Sequence, residues 1–127
     1  MKKKILVVDD DQDFKAAISI LLEAKGYEIH QASSGAEGFS KARLEKPDLI
    51  LLDVMMTHRT EGFDIAQKLH TEETTKDIPV IMVTGISKET QVFFKYEPDE
   101  VWLPVKEVLE KPVKPEALIK AVEKHVR

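Results

Sequence analysis

Leu49-Ile50-Leu51-Leu52-Asp53 is an unbroken apolar run closed by a carboxylate. A run this short without polar alternation reads as a strand buried on both faces, as in the sheets of α/β proteins. Open α/β sheets gather their chemistry in the crevice at the carboxyl ends of their strands, which is where Asp53 would stand. Working outward, Ile5 to Val8 runs into the triplet Asp9-Asp10-Asp11, and Val105 to Leu109 leads to Lys111-Pro112. Charged groups at equivalent strand ends imply one shared site.

The rest of the chain supplies the other layers. Tyr27 to Ala32 and Val80 to Val83 read as further strands, rich in Val and Ile and bounded by charge, Gly or Pro. Helical spacing separates them. Phe14, Ala17, Ile18, Leu21 and Leu22 follow one helical face, and Gly26 supplies the stop. Ser34 followed by Glu37 is a capping-box signature for a second helix whose apolar side includes Ala36 and Phe39. Phe63, Ala66 and Leu69 mark a third, Ser87 caps a fourth through Val92, Phe93 and Tyr96, and Pro115, Ile119, Val122 and Val126 mark a fifth. Strand and helix in repeated alternation imply a doubly wound α/β fold, its parallel strands joined by right-handed crossovers with five helices on both faces.

Composition bounds the function. The 127 residues suit one domain, and no apolar stretch approaches a bilayer span. The chain has no cysteine, hence no disulfide framework and no thiolate metal site. A net charge of -4 without a basic stripe argues against direct nucleic-acid binding. A cytoplasmic protein with no membrane attachment is expected. Neither repeats nor low-complexity tracts interrupt residues 1–127.

Carboxylates converging on Asp53 need a counter-charge. Two like charges at about 4 Å repel by roughly 4 kcal/mol at an effective dielectric near 20. A divalent cation relieves this, and an oxygen-only donor set suits Mg²⁺. The alternative is that the triplet caps the first helix, where acids favour the positive dipole end. Lys111 and Thr84 have bland readings as well, a solvated strand-end lysine and a polar strand end. His30, His58, His70 and His125 lack zinc-ligand spacing, and Met55 and Met56 read as packing residues.

The ordered set Asp9-Asp10, Asp53, Thr84, Lys111-Pro112 resembles the receiver domain of two-component response regulators. Ile5 to Asp11 (ILVVDDD), Ala24 to Tyr27 (AKGY), Pro47 to Met56 (PDLILLDVMM), Ile78 to Gly85 (IPVIMVTG) and Glu110 to Pro112 (EKP) carry the resemblance, which covers essentially residues 1–127. It implies a five-stranded parallel sheet of order 2-1-3-4-5. It also implies that Asp53 accepts a phosphoryl group from a sensor histidine kinase or phosphotransfer protein and so switches contacts with a downstream protein partner. By the same resemblance Asp10, Asp53 and the carbonyl of Met55 hold Mg²⁺, with Asp9 acting mostly through water. Lys111 and Thr84 meet phosphoryl oxygens, and the Lys111-Pro112 bond is cis. Such a domain is no enzyme beyond Mg²⁺-dependent self-phosphorylation and self-dephosphorylation. A stand-alone receiver like the chemotaxis regulators is the expected form.

This chain also departs from the family pattern. Thr57 replaces the usual proline, Gly62 comes one residue late, and Val108 stands where many members carry an aromatic switch residue. The stretch between Thr84 and Lys111 is longer than usual. Its segment Pro98 to Pro104, with Trp102, is expected on the output or self-association surface, the alternative being that Trp102 folds back to fill the gap between the fourth helix and the sheet. Two other classes share parts of the pattern. A haloacid dehalogenase-type phosphatase needs a second Asp two residues after the nucleophile, where this chain has Met55. A flavodoxin-like module cradles phosphate after its first strand, where Asp9-Asp10-Asp11 would repel it.

Overall fold

The computed structural model describes residues 2–53, 61–85 and 105–127, the side chains of 61–63, 84 and 85 excepted. Its elements are β1 (Lys4–Val8), α1 (Gln12–Glu23), β2 (Glu28–Ala32), α2 (Gly35–Glu45), β3 (Leu49–Asp53), α3 (Glu61–Thr71), β4 (Val80–Gly85), β5 (Glu107–Lys111) and α4 (Pro115–His125). The helix expected from Ser87 through Tyr96 lies outside the described residues. All strand pairings are parallel, in the order β2-β1-β3-β4-β5. That order is the 2-1-3-4-5 expected from the resemblance.

Alternation along the strands divides the core between two faces. Ile5, Val7, Leu49, Leu51 and Ile81 meet Ile18 and Leu22 of α1 and Leu118, Ala121 and Val122 of α4. The intervening Leu6, Val8, Ile50, Leu52, Val80 and Met82 meet Ala42 of α2 and Ile65, Ala66 and Leu69 of α3. Every residue of β3 is buried, because helices cover both of its faces. Burying one such side chain contributes about 1.5–3 kcal/mol, and this two-sided burial holds the strand ends in a common row.

Local signals set the helix limits. Gly26 adopts φ 94, the left-handed conformation that ends the α1 connection at little steric cost. Ser34 caps α2 by accepting from the Glu37 N–H at 3.1 Å, while the Glu37 carboxylate accepts from the Ser33 N–H at 3.1 Å. The reciprocal bond thus falls one residue before the cap rather than on it. Two helix faces differ from the sequence reading. Ala36 is exposed, and α2 instead buries Gly35, Gly38 and Ala42. In α1 the buried stripe is Lys15, Ile18, Ser19 and Leu22, with Ala17 exposed.

Gly38 lets α2 approach β1 closely. A Cβ built there would meet Val8 Cγ2 at 2.7 Å and Cγ1 at 2.8 Å. Val8 is β-branched and buried, so neither methyl can swing away. Gly38→Ala is expected to lose about 1–2 kcal/mol net, overpacking outweighing the gain in helix propensity. Urea unfolding should show a lower midpoint with an unchanged slope. A midpoint at or above wild type would mean that α2 can lift off without cost.

Candidate phosphoacceptor site

The register brings the charged strand ends together. Val8 pairs with Leu52, Asp53 with Val83, Thr84 with Glu110 and Gly85 with Lys111. Asp9 follows β1 directly, and its N–H donates to the Ala32 carbonyl at 3.0 Å, which carries the β1–β2 pairing one residue further. Its carboxylate is held at both oxygens. Oδ1 accepts from the Asp11 N–H at 2.9 Å, and Oδ2 accepts from Lys111 Nζ at 2.9 Å. The same ammonium stands 3.8 Å from Asp53 Oδ2. Asp9 and Asp53 are 1% and 3% exposed, so these charges depend on partners for their stability.

Asp9, Asp10 and Asp53 each offer a carboxylate oxygen, all within 4.8 Å of one another. Asp10 is exposed and the other two are buried, so the cluster opens to solvent on one side. Three anionic oxygen donors, with one cation already beside two of them, fit a hard divalent ion such as Mg²⁺. The acidic triplet therefore splits. Asp9 and Asp10 join Asp53, whereas Asp11 is the α1 N-cap, accepting from the Phe14 N–H at 3.1 Å. The helix-cap reading thus holds for Asp11, while Asp9 and Asp10 stand where a cation could be shared with Asp53.

The other expected site residues are placed unequally. The backbone of Thr84 lies on β4, one residue beyond Val83. The Lys111-Pro112 bond is cis. Val108 is half-buried and packs against the α2–α3 core. Met55, Thr57, His58, Arg59 and the segment Pro98 to Pro104 with Trp102 lie outside the described residues. Among the described residues no histidine joins the carboxylate cluster; His30 pairs with Glu28 and Glu45, and His125 with Glu107.

Two side chains of α1 make contacts that the sequence reading did not anticipate. Lys15 is buried on α1, its Nζ donating to Ser33 Oγ at 2.5 Å, and Gln31 Nε2 donates to Ser19 Oγ at 2.6 Å close by. These bonds explain why α1 turns a partly polar stripe inward. Phe14 lies with its ring centroid 4.2 Å from Lys111 Nζ. Together with Leu21, Val113, Pro115 and Leu118 it also lines an apolar groove of about 1050 Å³. Lys15, Ser19 and Leu22 do follow helical spacing, but nothing in their types separates a buried lysine from a solvated one.

Comparison with known proteins decides what this arrangement belongs to. Residues 5–123 match the response regulator receiver domain. The chain belongs to that family. This receiver domain is 34% identical over 122 residues to Protein PilH of Pseudomonas aeruginosa, covering 94% of this chain and 93% of that protein. It is 41% identical over 85 residues to the DNA-binding dual master transcriptional regulator RpaA of Synechocystis sp., covering 67% of this chain but 35% of RpaA. The receiver thus spans about a third of that relative's length. A solved response regulator receiver domain protein (CheY-like) from Methanospirillum hungatei JF-1 superposes with TM-score 0.79 at 30% identity, covering 98% of this chain and 93% of that one. Membership decides against the dehalogenase-type phosphatase and the flavodoxin-like module. No helix among the described residues is long and apolar enough to cross a membrane.

Proposed function

We propose that Asp53 is the phosphoacceptor of this receiver, that Lys111 and Thr84 contact the transferred group, and that Asp9 and Asp10 with Asp53 and the Met55 carbonyl hold Mg²⁺. The observation that carries this is the buried Asp53 carboxylate within 3.8 Å of the Lys111 ammonium, inside a cluster of three acids. Asp53 supplies the nucleophilic oxygen, which forms a bond to phosphorus as the donor's bond to phosphorus breaks. Lys111, fixed by Asp9, supplies positive charge where the phosphoryl oxygens gather in the transition state. Asp9 has both oxygens engaged, one by backbone and one by Lys111, and so orients the lysine more than it attacks. When bound, Mg²⁺ neutralises charge on the acids and on the phosphoryl oxygens.

The donor in this reading is a phosphohistidine on a sensor kinase or phosphotransfer protein, and a downstream protein reads the product. The chain's own chemistry is then confined to Mg²⁺-dependent phosphorylation and dephosphorylation of itself. ATP-dependent kinases act in the cytoplasm, which is where the reading puts this chain. Thr84 couples the phosphoryl group to conformation, because a state that binds the group better gains population when it is present. Thr84→Ala is therefore expected to accept phosphoryl normally while losing most phosphorylation-dependent partner binding. A pull-down comparing beryllofluoride-treated and untreated protein measures this. Equal phospho-dependent capture by wild type and Thr84→Ala would contradict it.

A further inference from the structure

We propose that Phe14 is a positioning residue for phosphoryl transfer, holding the Lys111 ammonium against the acidic cluster through the face of its ring. The proposal rests on the role assigned above to Lys111. The ring centroid lies 4.2 Å from Lys111 Nζ, while that ammonium stands 2.9 Å from Asp9 Oδ2 and 3.8 Å from Asp53 Oδ2. Lysine carries three ammonium protons on a flexible stem, and nothing in a carboxylate pair alone fixes its distance from a third group. An aromatic face attracts a cation through its quadrupole and excludes water from that side, more strongly where the cation is partly desolvated. Lys111 is such a cation, with 22% of its side chain exposed.

The sequence builds this contact deliberately from the first turn of α1. Asp11 accepts from the Phe14 N–H at 3.1 Å, which fixes the start of the helix and therefore the direction of the ring. Asp11 also donates its own N–H to Asp9 Oδ1 at 2.9 Å. One residue thus orients both the anion and the ring that confine Lys111. The third aspartate of the triplet acts on the site through position, without being one of its clustered acids.

The test is a double-mutant cycle on phosphorylation by acetyl phosphate in Mg²⁺. Phe14→Leu keeps apolar bulk but loses the ring, and phosphorylation is expected to slow by about threefold to tenfold. Phe14→Tyr keeps the face and is expected to stay near wild type. In a Lys111→Met background, Phe14→Leu is expected to change the rate by less than about twofold, because the cation that the ring holds is gone. Equal slowing by Phe14→Leu in both backgrounds would mean that the ring serves only packing, and would overturn the proposal; an unchanged rate in Phe14→Leu would do the same. The Lys111 ε-methylene proton shift reads the stack independently of rate. An upfield position in wild type that is lost in Phe14→Leu supports it, and a random-coil position in both overturns it. A Lys111→Met rate equal to wild type would instead overturn the assignment of Lys111, leaving the stack to the proton shift.

Discussion

Asp53→Asn is expected to abolish phosphoryl incorporation from acetyl phosphate while leaving the fold intact. In the proposed reaction a carboxylate oxygen of Asp53 attacks phosphorus, the bond from phosphorus to the acetyl oxygen breaks, and acetate leaves. The amide has nearly the same shape but no anionic oxygen to attack with, so the expected gain of one phosphoryl group by mass disappears. The fold is expected to survive because the substitution removes one of the clustered acids, which lie within 4.8 Å of one another. Repulsion between two such charges is roughly 4 kcal/mol at about 4 Å and an effective dielectric near 20, before the offset from Lys111. In metal-free buffer the thermal midpoint of Asp53→Asn should equal or exceed that of wild type. Chelation should reproduce the chemical loss in wild type. Incorporation that persists in Asp53→Asn would reassign the nucleophile.

Lys111→Met separates charge stabilisation from metal binding. The ammonium bonds to Asp9 at 2.9 Å and stands 3.8 Å from Asp53, so its removal takes positive charge from the place where phosphoryl oxygens would collect. Phosphorylation is expected to fall by at least about tenfold, equivalent to about 1.4 kcal/mol in the barrier. Mg²⁺ should bind no more weakly, because a competing cation has left the acids. Stopped-flow phosphorylation and a Mg²⁺ titration on the same sample check both arms. A parallel loss of Mg²⁺ affinity would mean that the site had collapsed, and the rate effect would no longer report on charge.

The parallel sheet was legible because its evidence is redundant. Leu49 to Asp53 and Ile5 to Val8 are buried on both faces, and uninterrupted apolar runs have few other solutions. Asp53 was legible for a related reason, since a charge closing a buried strand stands out against its neighbours, whereas Lys111 ends the partly buried β5 after Glu110 and was legible through the Glu-Lys-Pro of the family resemblance. The face of α1 was less legible. Its buried stripe contains Lys15 and Ser19, satisfied by Ser33 and Gln31, and a hydrophobic count assigns such residues to solvent. Ala36 was misassigned on similar grounds, because an alanine carries too little apolar area to fix a helix phase beside two buried glycines. The division of labour within Asp9-Asp10-Asp11 depends on backbone direction after β1, which three identical side chains cannot encode.

Borohydride trapping tests most directly whether the phosphoryl group resides on Asp53. Borohydride reduces an acyl phosphate to the alcohol, converting a phosphorylated aspartate to homoserine at the position that carried the group. After treatment with acetyl phosphate and Mg²⁺, tandem mass spectrometry should find homoserine at residue 53 alone, and none when chelator replaces Mg²⁺. Homoserine at position 9 or 10, or none anywhere in protein whose mass shows a phosphoryl group, would contradict the account.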